Sequence, residues 1–236
     1  MNEKDCDKKF KELEDAAEEC ESLDELFCLW QKAHMAEENP EKTFPQSPDG
    51  KKPPKDAFRG SFCLDGITSA KGHEKGIDYE LKPHVDVLFV LKESNTGGKP
   101  EKKGKFWFDG NPEQSERIDY CKKFVKILKI LDANENCRFG YMNLNKRGGY
   151  RRTHLPSLKR YVKKYAKFIK KQIQLHSPKI VVFCGCYDVA VSNVLDMDKW
   201  KGKSDTANID GEEMTLHYVY HPSYSSFKKS LDNLCK

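Results

Sequence analysis

The sequence predicts a mixed α/β fold, and two observations carry that reading. Short apolar runs, Val85 to Leu91, Phe139 to Leu144, Ile180 to Cys184 and Thr215 to Tyr220, alternate with longer stretches whose apolar residues recur at helical spacing. Each run is nearly all apolar, as a strand buried on both faces of a parallel sheet must be, and then stops abruptly in polar residues. Parallel strands need helical crossovers, so the alternation implies helices on both sides of the sheet. Ligands of such sheets bind beyond the carboxyl ends of the strands, which makes the polar residues there the first candidates for function.

The chain before the first strand predicts an arm. Glu3 to Glu38 reads as helix in two pieces, with Phe10, Leu13, Ala17 and Cys20 on one stripe and Leu23, Leu26, Phe27, Trp30 and His34 continuing it. Ser22 followed by Glu25 has the form of a capping box that starts the second piece. Pro45, Pro48, Pro53, Pro54 and the pair Asp49-Gly50 mark a loop. The expected division is therefore an N-terminal helical arm with its proline-rich loop, 1–57, and an α/β domain, 58–236. Ser61 to Ile67 can form a short extended segment before the first core strand.

Two further helices follow the same periodicity. Cys121, Phe124, Leu128 and Leu131 line one face of Ser115 to Asp132, and Leu158, Val162, Tyr165, Phe168, Ile169 and Ile173 line the next helix. Pro178 stops the latter. Gly185 turns the chain from the third strand into another helix, and a short helix closes the C-terminus. Asn145 to Thr153, after the second strand, reads as a polar, basic loop.

Composition bounds the function. Charged residues make up 33% and hydrophobic ones 37%, and no apolar run approaches the roughly 20 residues that span a bilayer. The polar start argues against a signal peptide. Nine cysteines without a Cys-x-x-Cys pair fit free thiols in a reducing cytoplasm better than a zinc or iron–sulfur site. No Gly-x-Gly-x-x-Gly or Walker loop follows a strand, so ordinary dinucleotide or nucleoside-triphosphate binding is not expected. Net charge is +5, but Lys146 to Lys171 carries many Lys and Arg and no Asp or Glu. A basic run is as often a solvated helix face as a polyanion site; here it starts at a strand end, which favours a nucleic-acid partner.

The strand ends supply the candidate chemistry. The first ends in Lys92-Glu93-Ser94-Asn95-Thr96, where burial raises a carboxyl pKa and a carboxylate can orient water. The second carries Asn143, whose amide offers both a donor and an acceptor to a base edge. The last leads into His221-Pro222-Ser223, with an imidazole that can donate a hydrogen bond.

These four strand ends, in this order, resemble the uracil-DNA glycosylase superfamily, over roughly Val85 to Phe227. In that family a Gly-x-x-Pro-x motif follows the first strand, an Asn the second, a Gly-containing turn the third and His-Pro-Ser the fourth. The chain departs from the pattern at Lys92, where the family has Gly, and at Asn95, where it has Pro. The resemblance implies a three-layer α/β/α domain with four parallel strands in the order 2-1-3-4. It implies a monofunctional DNA glycosylase without metal or organic cofactor. Glu93 would position the water that attacks C1′ of a flipped nucleotide, Ser94 would help hold it or bond within the turn, and His221 would donate to the departing base. Lys92, Asn95, Asn143 and Ser223 would contact substrate, with Phe106 or Phe108 stacking on the base. Lys146, Arg147, Arg151 and Arg152 would contact phosphates, Gly148, Gly149 and Tyr150 would let backbone approach closely, and Tyr224 would stand where the family carries a wedge. The expected partner is DNA, single- or double-stranded, with no membrane and a monomeric chain. A catalytically silent nucleic-acid- or nucleotide-binding module of the same fold is the alternative.

Overall fold

The structure, a computed structural model, describes residues 3–47, 53, 57–69, 84–100, 115–133, 136–197 and 204–235. In chain order its elements are α1 (Glu3–Glu19), α2 (Leu23–Ala36), β1 (Gly66–Ser69), β2 (Val87–Asn95), α3 (Ser115–Ile130), β3 (Arg138–Gly149), α4 (Leu155–Lys164), α5 (Ala166–His176), β4 (Ile180–Cys184), α6 (Tyr187–Val194), β5 (Asp205–Ile209), β6 (Glu212–Val219) and α7 (Phe227–Ser230). The mixed α/β class stands. The chain divides into two compact units, one of 1–64, 92–107 and 143–175, the other of 65–91, 108–142 and 176–236. The chain passes between them inside β2 and inside β3.

The second unit holds the sheet pairings. Among the described residues the sheet has six strands in the order β1-β3-β2-β4-β6-β5, which corrects the expectation of four. β4 runs parallel to both β2 and β6, with Phe89 opposite Val182 and Val182 opposite His217. The two extra strands are antiparallel: β1 on β3 and β5 on β6. Their apolar signal is weak because they lie at the edges of the sheet. β5 joins β6 through Asp210 and Gly211, both at positive φ (54° and 91°), the geometry of a two-residue hairpin turn. That Asp-Gly pair was the available sign, and the polar, largely exposed β5 beside it hid the strand.

Asp86 aligns the start of the sheet. Its N–H donates to the Arg138 carbonyl at 2.8 Å and its own carbonyl accepts from Ile180 at 3.1 Å. Its carboxylate accepts the Arg138 N–H at 3.0 Å. The core around these strands includes Phe89 stacked on Phe124 at 4.2 Å between ring centroids, with Phe139 edge-on at 5.7 Å from Phe89.

The first unit builds the N-terminal helices into its core. Ser22 caps α2 through its hydroxyl, which accepts the Glu25 N–H at 3.2 Å, while the Glu25 carboxylate accepts the Glu21 N–H at 3.4 Å. The predicted stripe is buried except at Leu13, which is half-buried, and Trp30 stacks on Phe168 with centroids 5.5 Å apart, with Phe62 edge-on at 6.0 Å. These helices thus share an interior with α4 and α5. Tyr165, expected within one continuous helix, caps α4 instead, and a new helix starts at Ala166.

That interior also contains a polar chain with a fixed direction. The Ser61 carbonyl lies 3.2 Å from His34 Nδ1, so Nδ1 carries the proton and donates. Nε2 then accepts from the Tyr161 hydroxyl at 2.8 Å, whose oxygen accepts the Lys146 N–H at 3.2 Å. Burial, with Arg147 close by, holds the His34 pKa well below the usual value, so the ring stays neutral as this arrangement requires.

Candidate functional site

The second strand expected from the sequence does not end at Leu144. β3 continues to Gly149, and Phe139 to Gly149 are all buried. This overturns the expected basic loop and with it two phosphate contacts. Lys146 is buried, its Nζ 2.6 Å from the Asn143 carbonyl and 5.0 Å from the centre of the Trp30 ring. Arg147 is 0% exposed. Its guanidinium donates to the Phe58 carbonyl (3.1 Å), Thr43 Oγ1 (2.9 Å) and Glu37 Oε2 (2.9 Å). Glu37 is itself 2% exposed and also accepts from the Tyr165 hydroxyl at 2.8 Å. A buried ion is tolerated only with such a set of partners, and none of this leaves room for a phosphate. The cations that remain on the surface of this segment are Arg151 and Arg152, at the turn before α4.

At the ends of β2 and β3, within the first unit, a carboxyl is held in a built environment. Glu93 is buried, and Asn145 Nδ2 donates to its Oε2 at 3.1 Å. Its other oxygen, Oε1, makes no hydrogen bond of normal geometry among the described residues, although Thr153 and the Tyr150 N–H act on the carboxyl as donors. Gly149 lies directly against it: a Cβ there would stand 2.4 Å from the Glu93 carboxyl carbon. A side chain there would have to displace the carboxyl, so Gly149 makes room for Glu93, while Gly148, at φ 77°, lies against Thr96 and Cys63.

Burial pushes the Glu93 carboxyl up to about 8, and Asn145, Thr153, Lys92 and the Tyr150 backbone oppose the shift less strongly. The chain beyond β2 is tied to the same glycine. The Gly149 carbonyl accepts from the Thr96 N–H (3.1 Å), the Gly98 N–H (3.0 Å) and the Thr96 hydroxyl (3.2 Å).

The other expected residues of this segment fall around Glu93 in sequence but differ in exposure. Lys92 and Ser94 are buried, and Ser94 Oγ has no hydrogen-bond partner among the described residues. Asn95 is exposed, and its Oδ1 accepts the Gly97 N–H at 3.1 Å, a local turn bond. Asn143 is fully buried. Phe106 and Phe108 lie outside the described residues.

His221 belongs to the second unit, in the turn after β6. Ser223 donates its backbone N–H to His221 Nδ1 at 3.3 Å, and the Ser223 hydroxyl lies 2.8 Å from the same nitrogen. A nitrogen that accepts a backbone N–H carries no proton, so the proton sits on Nε2, which is a donor. The turn is pinned from both sides: Lys123 Nζ donates to the Pro222 carbonyl at 2.6 Å, and the Ser230 hydroxyl of α7 accepts the Tyr220 N–H at 2.8 Å. Tyr224, 49% exposed, and Tyr220, 39% exposed, flank it.

Asn145 and Thr153 carry no site role in the sequence pattern taken alone, and Gly149 was expected only to let backbone approach a phosphate. The available sign for Asn145 was its place two residues after Asn143, because alternate residues of a strand share a face. Reading 145–153 as a loop removed that sign.

The described cysteines are free thiols, and the described residues contain no group of His, Cys, Asp and Glu able to hold a metal ion. Nor does any described helix have the length and apolarity to cross a membrane. A hollow of about 490 Å³ on the surface of α1 and α2, lined by Lys9, Leu13, Lys32 and Met35 among others, includes none of the residues above. The chain matches no protein-family model and no curated protein sequence.

Proposed function

We propose that this chain hydrolyses the N-glycosidic bond of a flipped uracil or other damaged base in DNA. The observation that supports it is the Glu93 carboxyl, buried at a strand end with one oxygen held by Asn145 and the other making no hydrogen bond of normal geometry among the described residues. A carboxylate in that state can bind a water, take its proton and direct the oxygen to the sugar C1′. The C1′–N bond breaks as the C1′–O bond forms, and its electron pair leaves with the base. Charge builds on that base, where a hydrogen-bond donor that is already protonated would stabilise it; that is the role expected of His221 from the residue pattern.

The finer reading that goes with this proposal is a three-layer domain, a monomer in the cytoplasm, without a cofactor. Asn143 is assigned the base edge, and Tyr224 and Ser223 are assigned contacts to the strand.

One observation favours a second reading, a binding module without catalysis. With a pKa of about 8, only about a tenth of Glu93 is ionised at pH 7, which handicaps a base. Incubation with uracil-, hypoxanthine- and mismatch-containing oligonucleotides, followed by alkali cleavage at abasic sites, separates the two. Base release that slows by about 10²- to 10³-fold in His221→Ala, with binding retained, supports hydrolysis. Tight binding with no release from any substrate at pH 7 or pH 9 leaves the binding module.

Either reading expects nucleic acid on the surface cations. Replacing Arg151 and Arg152 together by Ala should weaken binding on every sequence tested. It should also flatten the plot of log K against log salt by about 0.7 to 0.9 per lost contact. Titrations by fluorescence anisotropy at several salt concentrations measure this, and an unchanged slope removes these two arginines from the interface.

A further inference from the structure

We propose that Asn145 is a positioning residue that aims the Glu93 carboxyl and favours its ionised form. The inference rests on the reading of Glu93 as the carboxylate that handles water, and it assigns a residue through which that group acts.

The geometry decides which way the amide faces. Asn145 Oδ1 accepts the Arg147 N–H at 2.9 Å. A backbone N–H can only donate, so the oxygen must be on that side, and the NH₂ group faces Glu93 as a donor. The partner that sets this orientation is itself immobile. The Arg147 side chain is tied to Phe58, Thr43 and Glu37, so the N–H that holds Asn145 cannot drift.

Gly149 closes one wall against the carboxyl. The result is a carboxyl with Oε2 fastened by Asn145 and Oε1 buried beside Gly149, whose rotation is restricted by Asn145 on one side and backbone on another.

The groups that act on Glu93 are few among the described residues. Lys92, on its own strand, is the charged one. From β3 and the turn after it come Asn145, the Gly149 backbone, the Tyr150 backbone and Thr153, all uncharged. Asn145 is the strongest of those that oppose burial, so its donor does the most to favour the ionised form. Without that donor the carboxyl should lose its proton only at still higher pH.

Asn145→Asp is the informative substitution. It keeps the shape and the acceptor for the Arg147 N–H but replaces the donor by an oxygen that repels a carboxylate. The titration of Glu93 is followed by carbon-13 NMR of the side-chain carboxyl in protein labelled at glutamate, with Glu93→Gln used to assign the signal. The expected result is a Glu93 midpoint higher than wild type by one pH unit or more. In single-turnover base release, the pH at half-maximal rate moves up by the same amount while the substrate KM stays within about twofold.

Asn145→Leu, of similar volume and without any polar group, serves as the second variant and should shift the midpoint in the same direction. An unshifted midpoint in whichever variant folds, or loss of folding by both, overturns the proposal, because Asn145 would then be structural. The NMR titration does not depend on activity. A wild type that releases no base removes the glycosylase reading, and the midpoints still report on Asn145.

Discussion

Glu93→Gln should slow base release by roughly 10²- to 10⁴-fold, the range expected when a general base is lost. The size and shape of the side chain are kept, and Asn145 can still pack against it. In the wild type the single-turnover rate should rise with pH and level off above about 8, following ionisation of the carboxyl. In the variant that rise should disappear.

The same substitution should stabilise the protein, and the sign follows from proton binding. The folded-state pKa is raised from 4.5 to about 8. Between those values the folded chain holds a proton that the unfolded chain has released, so stability falls as pH rises across that window. Well inside the window, each further pH unit removes about 1.4 kcal/mol. Gln has no proton to lose, so Glu93→Gln should gain stability over wild type as pH rises from about 4.5 to about 8. Below pH 4.5 the two should converge. Denaturant unfolding at pH 5 and pH 9 measures the difference. A variant as active as wild type would remove Glu93 from the chemistry, and one whose added stability does not grow with pH would mean that the carboxyl is not held protonated by burial.

Arg147→Met should destabilise the protein by about 3 to 5 kcal/mol, because it leaves the Glu37 carboxylate buried without its closest cation. Lys164, 3.5 Å from Glu37 Oε1 and partly exposed, offers only partial compensation. Thr43 and Phe58 would also lose a donor each. Adding Glu37→Leu to Arg147→Met should recover much of the loss, since a buried pair replaced as a whole by apolar groups is often neutral. Urea unfolding of both single variants and the double variant gives the coupling directly. A loss below about 1 kcal/mol in Arg147→Met would mean that the guanidinium is not held as described. By contrast, Arg151→Ala and Arg152→Ala should leave stability within about 0.5 kcal/mol, as surface changes do.

These expectations show where local pattern was enough. The parallel core was legible because β2 and β4 are buried along almost their whole length, and an unbroken apolar run is what such strands require. The Ser22 cap and the stripe through Trp30 and His34 were legible because they depend on spacing within one helix. Glu93 was legible for a similar reason: a carboxylate that continues an apolar strand is conspicuous in the sequence itself.

What the sequence could not show is set by partners far along the chain. Lys146 and Arg147 look like surface cations, and partners such as Trp30 and Glu37, more than a hundred residues earlier, make them buried ones. β3 runs past Leu144, so the expected loop is strand and Gly149 lies against Glu93. The role proposed for Asn145 rests on contacts with two residues far apart in the chain: the Arg147 N–H at one end of its amide and Glu93 at the other. Apolar burial is non-directional and can be read from periodicity. A buried ion is stable only when specific partners from separate segments surround it, and it was tertiary packing that supplied them.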